Sequence, residues 1–164
     1  MEKILVINTG GTFNKVYNPL TGSLDIDKKG KALKEIAKHW IYDFRVINII
    51  GKDSLDMNDS DREEILKTII ENSENRVIVV HGTDTIDKTA NYLDNLILDK
   101  TIVLTGAMIP YSINPVEATA NFTSAYGYLQ GINQKGVHIA MNGRMGNHKR
   151  VTKNKEKGYF EKTK

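Results

Sequence analysis

The sequence of 164 residues contains no cysteine. Disulfides, thiolate zinc sites and a cysteine nucleophile are excluded with it. No apolar run is long enough to span a bilayer, so no membrane partner is expected. The first apolar run, from Ile4, ends in a Gly-Gly turn rather than a small-residue cleavage site. No signal segment is expected, and a cytoplasmic location follows as the expectation. Several familiar catalytic motifs are also missing. There is no G-x-x-x-x-G-K-[ST] phosphate loop, no G-x-G-x-x-G after the first apolar run, no H-E-x-x-H and no G-x-S-x-G elbow. Nucleotide hydrolysis, hydride transfer and metalloprotease chemistry lose ground accordingly. The four histidines, His39, His81, His138 and His148, are scattered, and no metal site is expected. No repeat or linker divides the chain, so residues 1–164 are expected to form one domain.

What is present is an ordinary globular composition, 40% apolar and 26% charged. The net charge of +3 is unevenly placed. Residues 149–164 carry a local +5, and the remainder sums to −2. A general nucleic-acid surface is therefore not implied, and the basic end reads as a solvated strand or frayed terminus.

Strand and helix patterns alternate. Apolar, β-branched runs at residues 3–8, 44–50, 76–80, 101–105 and 137–141 read as strands. Helical spacing appears at 30–40, 61–71, 84–98 and 115–130, with Ile86, Ala90, Leu93 and Ile97 inward in the third. Residues 9–22 read as a long loop of the kind that forms lids. The alternation predicts an α/β fold, a doubly wound and mostly parallel sheet of about five strands covered on both faces, Rossmann- or flavodoxin-like. Ligands in such sheets bind at the carboxyl ends of strands.

Two of those strand ends carry a threonine. One is Thr9-Gly10-Gly11-Thr12, and the other is His81-Gly82-Thr83-Asp84-Thr85. A hydroxyl becomes a nucleophile only where its proton can be taken. Gly10 and Gly11 allow close backbone approach to a substrate, and their amides could stabilise an oxyanion. Helix-start amides after the second turn favour an anionic or carbonyl oxygen. Taken alone, however, Thr83 or Asp84 reads more readily as a helix N-cap, and His81 as a packed or hydrogen-bonded residue.

Taken together the turns are more specific. Thr9-Gly10-Gly11-Thr12-Phe13 resembles the T-G-G-T-I signature of bacterial-type L-asparaginases, and His81-Gly82-Thr83-Asp84-Thr85 matches that family's H-G-T-D-T. Four further segments follow the same order. The Tyr17–Gly22 segment resembles the family's tyrosine loop, and Asp53–Asp59 its S-x-D-M segment. Thr105–Pro110 resembles its G-A-M-R-P turn, and Arg150–Lys153 its D-V-T-K. The resemblance implies hydrolysis of L-asparagine to L-aspartate and ammonia, without a cofactor. It implies Thr12 as nucleophile and Tyr17 as its hydrogen-bonding activator. Thr83, Asp84 and Lys153 would form a second polar cluster, and Gly11, Asp53, Ser54, Thr83, Asp84 and Ala107 would bind the substrate. A lysine acting as base needs desolvation, which a paired carboxylate opposes, so Lys153 reads first as an electrostatic organiser and second as a proton shuttle.

The family's enzymes are about twice as long, with a second domain after the D-V-T-K segment. A neighbouring subunit's second domain completes their site. A short-chain enzyme acting as a homo-oligomer is the expectation here, with a catalytically weak or inactive amino-acid-binding module as the alternative. Phe13, Leu55 and Ile109 depart from the family pattern, and Glu117 stands for an acidic residue that packs in relatives.

Overall fold

A computed structural model describes residues 3–40, 44–96 and 99–163. In chain order the strands and helices are β1 (Ile4–Gly10), β2 (Lys15–Tyr17), β3 (Leu24–Ile26), α1 (Lys31–Trp40), β4 (Arg45–Lys52), α2 (Asp59–Glu71), β5 (Arg76–Val80), α3 (Ile86–Asp94), β6 (Thr101–Thr105), α4 (Pro115–Gly131), β7 (Gly136–Met141), β8 (Arg144–Asn147), β9 (Val151–Asn154) and β10 (Tyr159–Lys162). Short 3-10 turns follow β1 at Thr12–Asn14 and β4 at Ser54–Asp56.

The central sheet runs β4-β1-β5-β6-β7-β8. Its first five strands are parallel, and β8 adds an antiparallel edge. Renumbered among the parallel strands alone, the order is 2-1-3-4-5, the flavodoxin-like arrangement. The strand order reverses between β1 and β5, which places a crevice at their carboxyl ends.

Period-two alternation divides the core. Leu5, Ile7, Val77, Val79, Ile102 and Leu104 face Ile65 and Ile69 of α2 and Ala90 and Leu93 of α3. Ile4, Val6, Ile78, Val80 and Val103 face Leu33 and Ile36 of α1 and Phe122, Ala125 and Leu129 of α4. The central strands β1, β5 and β6 are buried on both faces, as parallel strands between helix layers must be.

The structure corrects the sequence reading in four places. The stretch after β1 is a 3-10 turn and the β2–β3 hairpin, not a bare loop. β4 is an edge strand with exposed and half-buried residues, where the apolar run predicts a buried one. Asn142-Gly143 closes a hairpin between β7 and β8, with both residues at positive φ (50° and 71°). That is the backbone a two-residue type I′ turn demands. The basic end folds into the β9–β10 hairpin, which drives Val151 and Phe160 into the core. Ile97, expected to face inward from α3, lies outside the described residues.

Candidate active site

Three strand ends meet with almost no space between their backbones. The Gly11 amide donates to the Lys52 carbonyl at 2.9 Å, tying β1 to β4. On the other side Gly11 lies against Gly82. A Cβ on Gly11 would fall 2.5 Å from the Gly82 Cα and amide nitrogen. One on Gly82 would fall 2.6 Å from the Ser54 hydroxyl. Gly11 also has φ 69°, a conformation L side chains rarely adopt. Glycine at both positions lets the Thr12 turn and the Thr83 turn lie side by side at the switch point. Thr9 Oγ1 donating to the Val80 carbonyl (2.9 Å) and the His81 amide donating to the Thr105 carbonyl (2.8 Å) extend the clamp across β1, β5 and β6.

The second turn carries the charged cluster. Lys153 Nζ donates to Thr83 Oγ1 at 2.9 Å and to Asp84 Oδ1 at 2.6 Å. These contacts join residues 69 and 70 positions apart, from β9 to the end of β5. The Lys153 side chain is 13% exposed and that of Asp84 is 43% exposed. The ammonium is sheltered while the carboxylate keeps an open side for a ligand. Neither Thr83 nor Asp84 caps α3. The N-cap is Thr85, whose hydroxyl instead donates to the Ser54 carbonyl at 2.8 Å. The capping alternative is thereby removed.

The remaining expected residues fall into two groups. Thr12 is half-buried at the start of its 3-10 turn, and its hydroxyl has no hydrogen-bond partner among the described residues. Tyr17, at the end of β2, is 63% exposed, and no hydrogen bond joins it to Thr12. Asp53 is engaged within the fold. It pairs with Lys15 at 2.6 Å and accepts from the Leu55 amide. Burial raises its pKa, but the Lys15 and Leu55 contacts outweigh that and hold it below the ordinary carboxylate value. The Ser54 hydroxyl is buried beneath Gly82 without a partner, and Ala107 is fully buried in the α1/α4 core layer.

Both ring nitrogens of His81 are committed within the fold. It is fully buried, one ring nitrogen bonded to the Gly82 carbonyl (2.7 Å) and the other to the Thr89 hydroxyl (2.9 Å). Burial pushes its pKa down to about 4. The neutral ring donates from Nδ1 and accepts from Thr89, and so props the turn from below.

Sequence reasoning undervalues the support beneath the turn after β6. The Glu117 carboxylate accepts from the Met108 amide (2.9 Å), the Ile109 amide (2.8 Å) and the Asn121 carboxamide (3.0 Å). Asn121 also donates to the Gly106 carbonyl at 3.0 Å. The sequence singles out Glu117 only as an acidic residue that packs in relatives, and the amides and carboxamide it accepts from depend on tertiary placement that the sequence does not show.

Residues 3–160 match the family model for the N-terminal part of asparaginase. The chain belongs to the asparaginase family. It is 30% identical, over 93% of its length, to a probable periplasmic L-asparaginase of Haemophilus influenzae, of which it covers 46%. It is 28% identical, again over 93% of its length, to L-asparaginase 2 of Escherichia coli, of which it covers 47%. A glutamyl-tRNA(Gln) amidotransferase component of Methanococcus maripaludis is 26% identical over 89% of this chain, which covers 36% of it. The solved structure of a probable cytoplasmic L-asparaginase from Campylobacter jejuni superimposes with a TM-score of 0.80 at 27% identity, covering 99% of this chain and 53% of that one. The chain thus spans about half the length, or less, of the asparaginase-family proteins it matches. Among the described residues no helix is long and apolar enough to cross a membrane.

Proposed function

We propose that the protein is an L-asparaginase that hydrolyses L-asparagine to L-aspartate and ammonia at the β1/β5 switch point. The observation that carries the reading is the Lys153–Thr83–Asp84 cluster, assembled from distant segments beside the Thr12 turn. In this reading Thr12 Oγ attacks the side-chain carbonyl carbon. A C–O bond forms, the C–N bond breaks, and the leaving ammonia takes up the threonine proton. Water then cleaves the acyl-threonine ester, releasing aspartate and returning the proton to Thr12. Tyr17 is the hydrogen-bonding activator of Thr12, brought to it as the β2–β3 hairpin closes on substrate. Lys153 holds Thr83 and Asp84 in place, and the open side of Asp84 receives the substrate ammonium, a charge-assisted contact. No cofactor takes part.

The same reading includes a homo-oligomer and a cytoplasmic location. Large apolar side chains stay exposed on and beside the turns at the carboxyl side of the sheet, among them Leu20 (94%), Leu55 (70%) and Val116 (71%). A second copy seated there would cover them and the site.

An alternative has its own observation. The Thr12 and Tyr17 hydroxyls do not meet, which suits a module that binds an amino acid without turning it over. Ammonia release from asparagine and from glutamine, with aspartate titration by calorimetry, separates the readings. Release from asparagine supports the asparaginase. Aspartate binding without ammonia supports the module. Preference for glutamine would align the chain with activities other than the one proposed.

A further inference from the structure

We infer that Asn142 is a positioning residue for Lys153, and that its side chain sets where the lysine ammonium stands. The inference rests on the reading of Lys153 as part of a hydrolase site. Asn142 occupies the first central position of the turn between β7 and β8, on a different segment from every residue named in that site. Its backbone is explained by the turn alone, because Asn-Gly is the preferred pair for a type I′ hairpin. Its side chain is not needed by that turn, yet it is fully engaged elsewhere.

The carboxamide oxygen of Asn142 accepts from the Phe160 amide at 3.1 Å. Phe160 is paired directly with Lys153 across the β9–β10 hairpin. The carboxamide nitrogen of Asn142 reaches Glu117 Oε1 at 3.4 Å, and the Asn142 amide donates to Asn121 Oδ1 at 2.9 Å. Glu117 and Asn121 are the residues that hold the Gly106–Ile109 turn. Asn142 therefore links two bodies: the rigid turn at the end of β6, and the hairpin that delivers Lys153 to Thr83 and Asp84. β9 and β10 form a separate two-stranded sheet, with no backbone ladder to the central sheet among the described residues. The hairpin is held by Val151 and Phe160 in the core, by the tight turn from β8 (Arg150 amide to Asn147 carbonyl, 2.9 Å), by Lys153 itself and by the side-chain bond from the β7–β8 turn to Phe160. Hydrophobic burial fixes the depth of a hairpin but is non-directional. The Asn142 bond fixes the register of Phe160, and with it the Lys153 that stands opposite.

Asn142→Gly isolates the side chain, because glycine adopts φ 50° without strain and keeps the turn. The expected result is a kcat for asparagine lowered about tenfold or more, since small misplacements of a site group are costly, with a rise in KM as Asp84 loses its support and with the folded state retained at the assay temperature. In a Lys153→Met background the same substitution should cause no further loss, because both act through one group. An Asn142→Gly enzyme with wild-type kcat overturns the inference and leaves the proposed function standing. So does an equal loss in both backgrounds. If the wild-type protein releases no ammonia, the proposed function fails instead. The inference is then read from a crystal structure of Asn142→Gly. A Lys153–Asp84 separation well beyond hydrogen-bonding distance supports it, and retention near 2.6 Å contradicts it.

Discussion

A buried neutral imidazole makes the fold sensitive to acid. His81 has its pKa lowered by burial from 6.5 to about 4 in the folded state. The unfolded chain therefore binds a proton near pH 6.5 that the folded chain refuses until about pH 4. Stability from His81 is fully present above pH 6.5 and is lost as the pH falls to 4, by about 3 kcal/mol from the shift itself. His138, also buried, shifts in the same direction. Urea midpoints should fall between pH 6.5 and 4, and His81→Asn should flatten that part of the profile. An unchanged profile in the variant contradicts the assignment. At the same scale, Lys153→Met leaves Asp84 without its cation and Thr83 without its donor. Activity should drop by about a hundredfold or more, with a small change in stability because Asp84 can rehydrate on its open side. Near-wild-type kcat in Lys153→Met would remove the lysine from the mechanism.

Elements are legible in proportion to how regular their patterns are. The buried strands β1, β5 and β6 and the four helices follow from apolar periodicity, to within a few residues at their ends. β8 escapes that reading, although Asn142-Gly143 before Arg144 is a hairpin signal. Its strand, Arg-Met-Gly-Asn, carries too little β-branched character to stand out. The β9–β10 hairpin reads in sequence only as a solvated strand or frayed end, because lysines dominate its composition. Only two of its residues, Val151 and Phe160, are apolar and buried. Phe160→Ala should therefore cost about 3–5 kcal/mol and release the hairpin, with loss of activity as Lys153 leaves the site. Guanidinium unfolding measures the first effect and ammonia release the second. Activity retained with the stability lost would show that Lys153 does not depend on the hairpin. Gly82→Ala should be harmful without any change in charge, since its Cβ meets the Ser54 hydroxyl at 2.6 Å. Overpacking of that kind costs about 1–3 kcal/mol and pushes the two turns apart. Wild-type melting and activity in Gly82→Ala would deny that close approach.

For the whole molecule, the fold class follows from alternation, but the strand order does not. Parallel strands buried on both faces look alike in sequence, and only the structure shows that β1 and β5 are the neighbours at the reversal. That adjacency brings two threonine motifs 71 residues apart, those of Thr12 and Thr83, side by side. The motifs direct the choice of Thr12, Thr83, Asp84 and Lys153. They do not reveal that Asp53 is occupied by Lys15, or that Asn142 and Glu117 tie the supporting turns together, because such contacts depend on register. Exposed Leu20, Leu55 and Val116 predict self-association, and light scattering should find more than one copy per particle. An active monomer would contradict it. The central claim, that a threonine at this switch point opens a side-chain amide, is tested most directly by the rate of ammonia release from L-asparagine by the wild-type protein and by Thr12→Ala. The account predicts turnover by the wild type and a loss of about a thousandfold or more in the variant, with its fold intact. Equal rates for the two proteins, or no release by the wild type at millimolar asparagine, would contradict it.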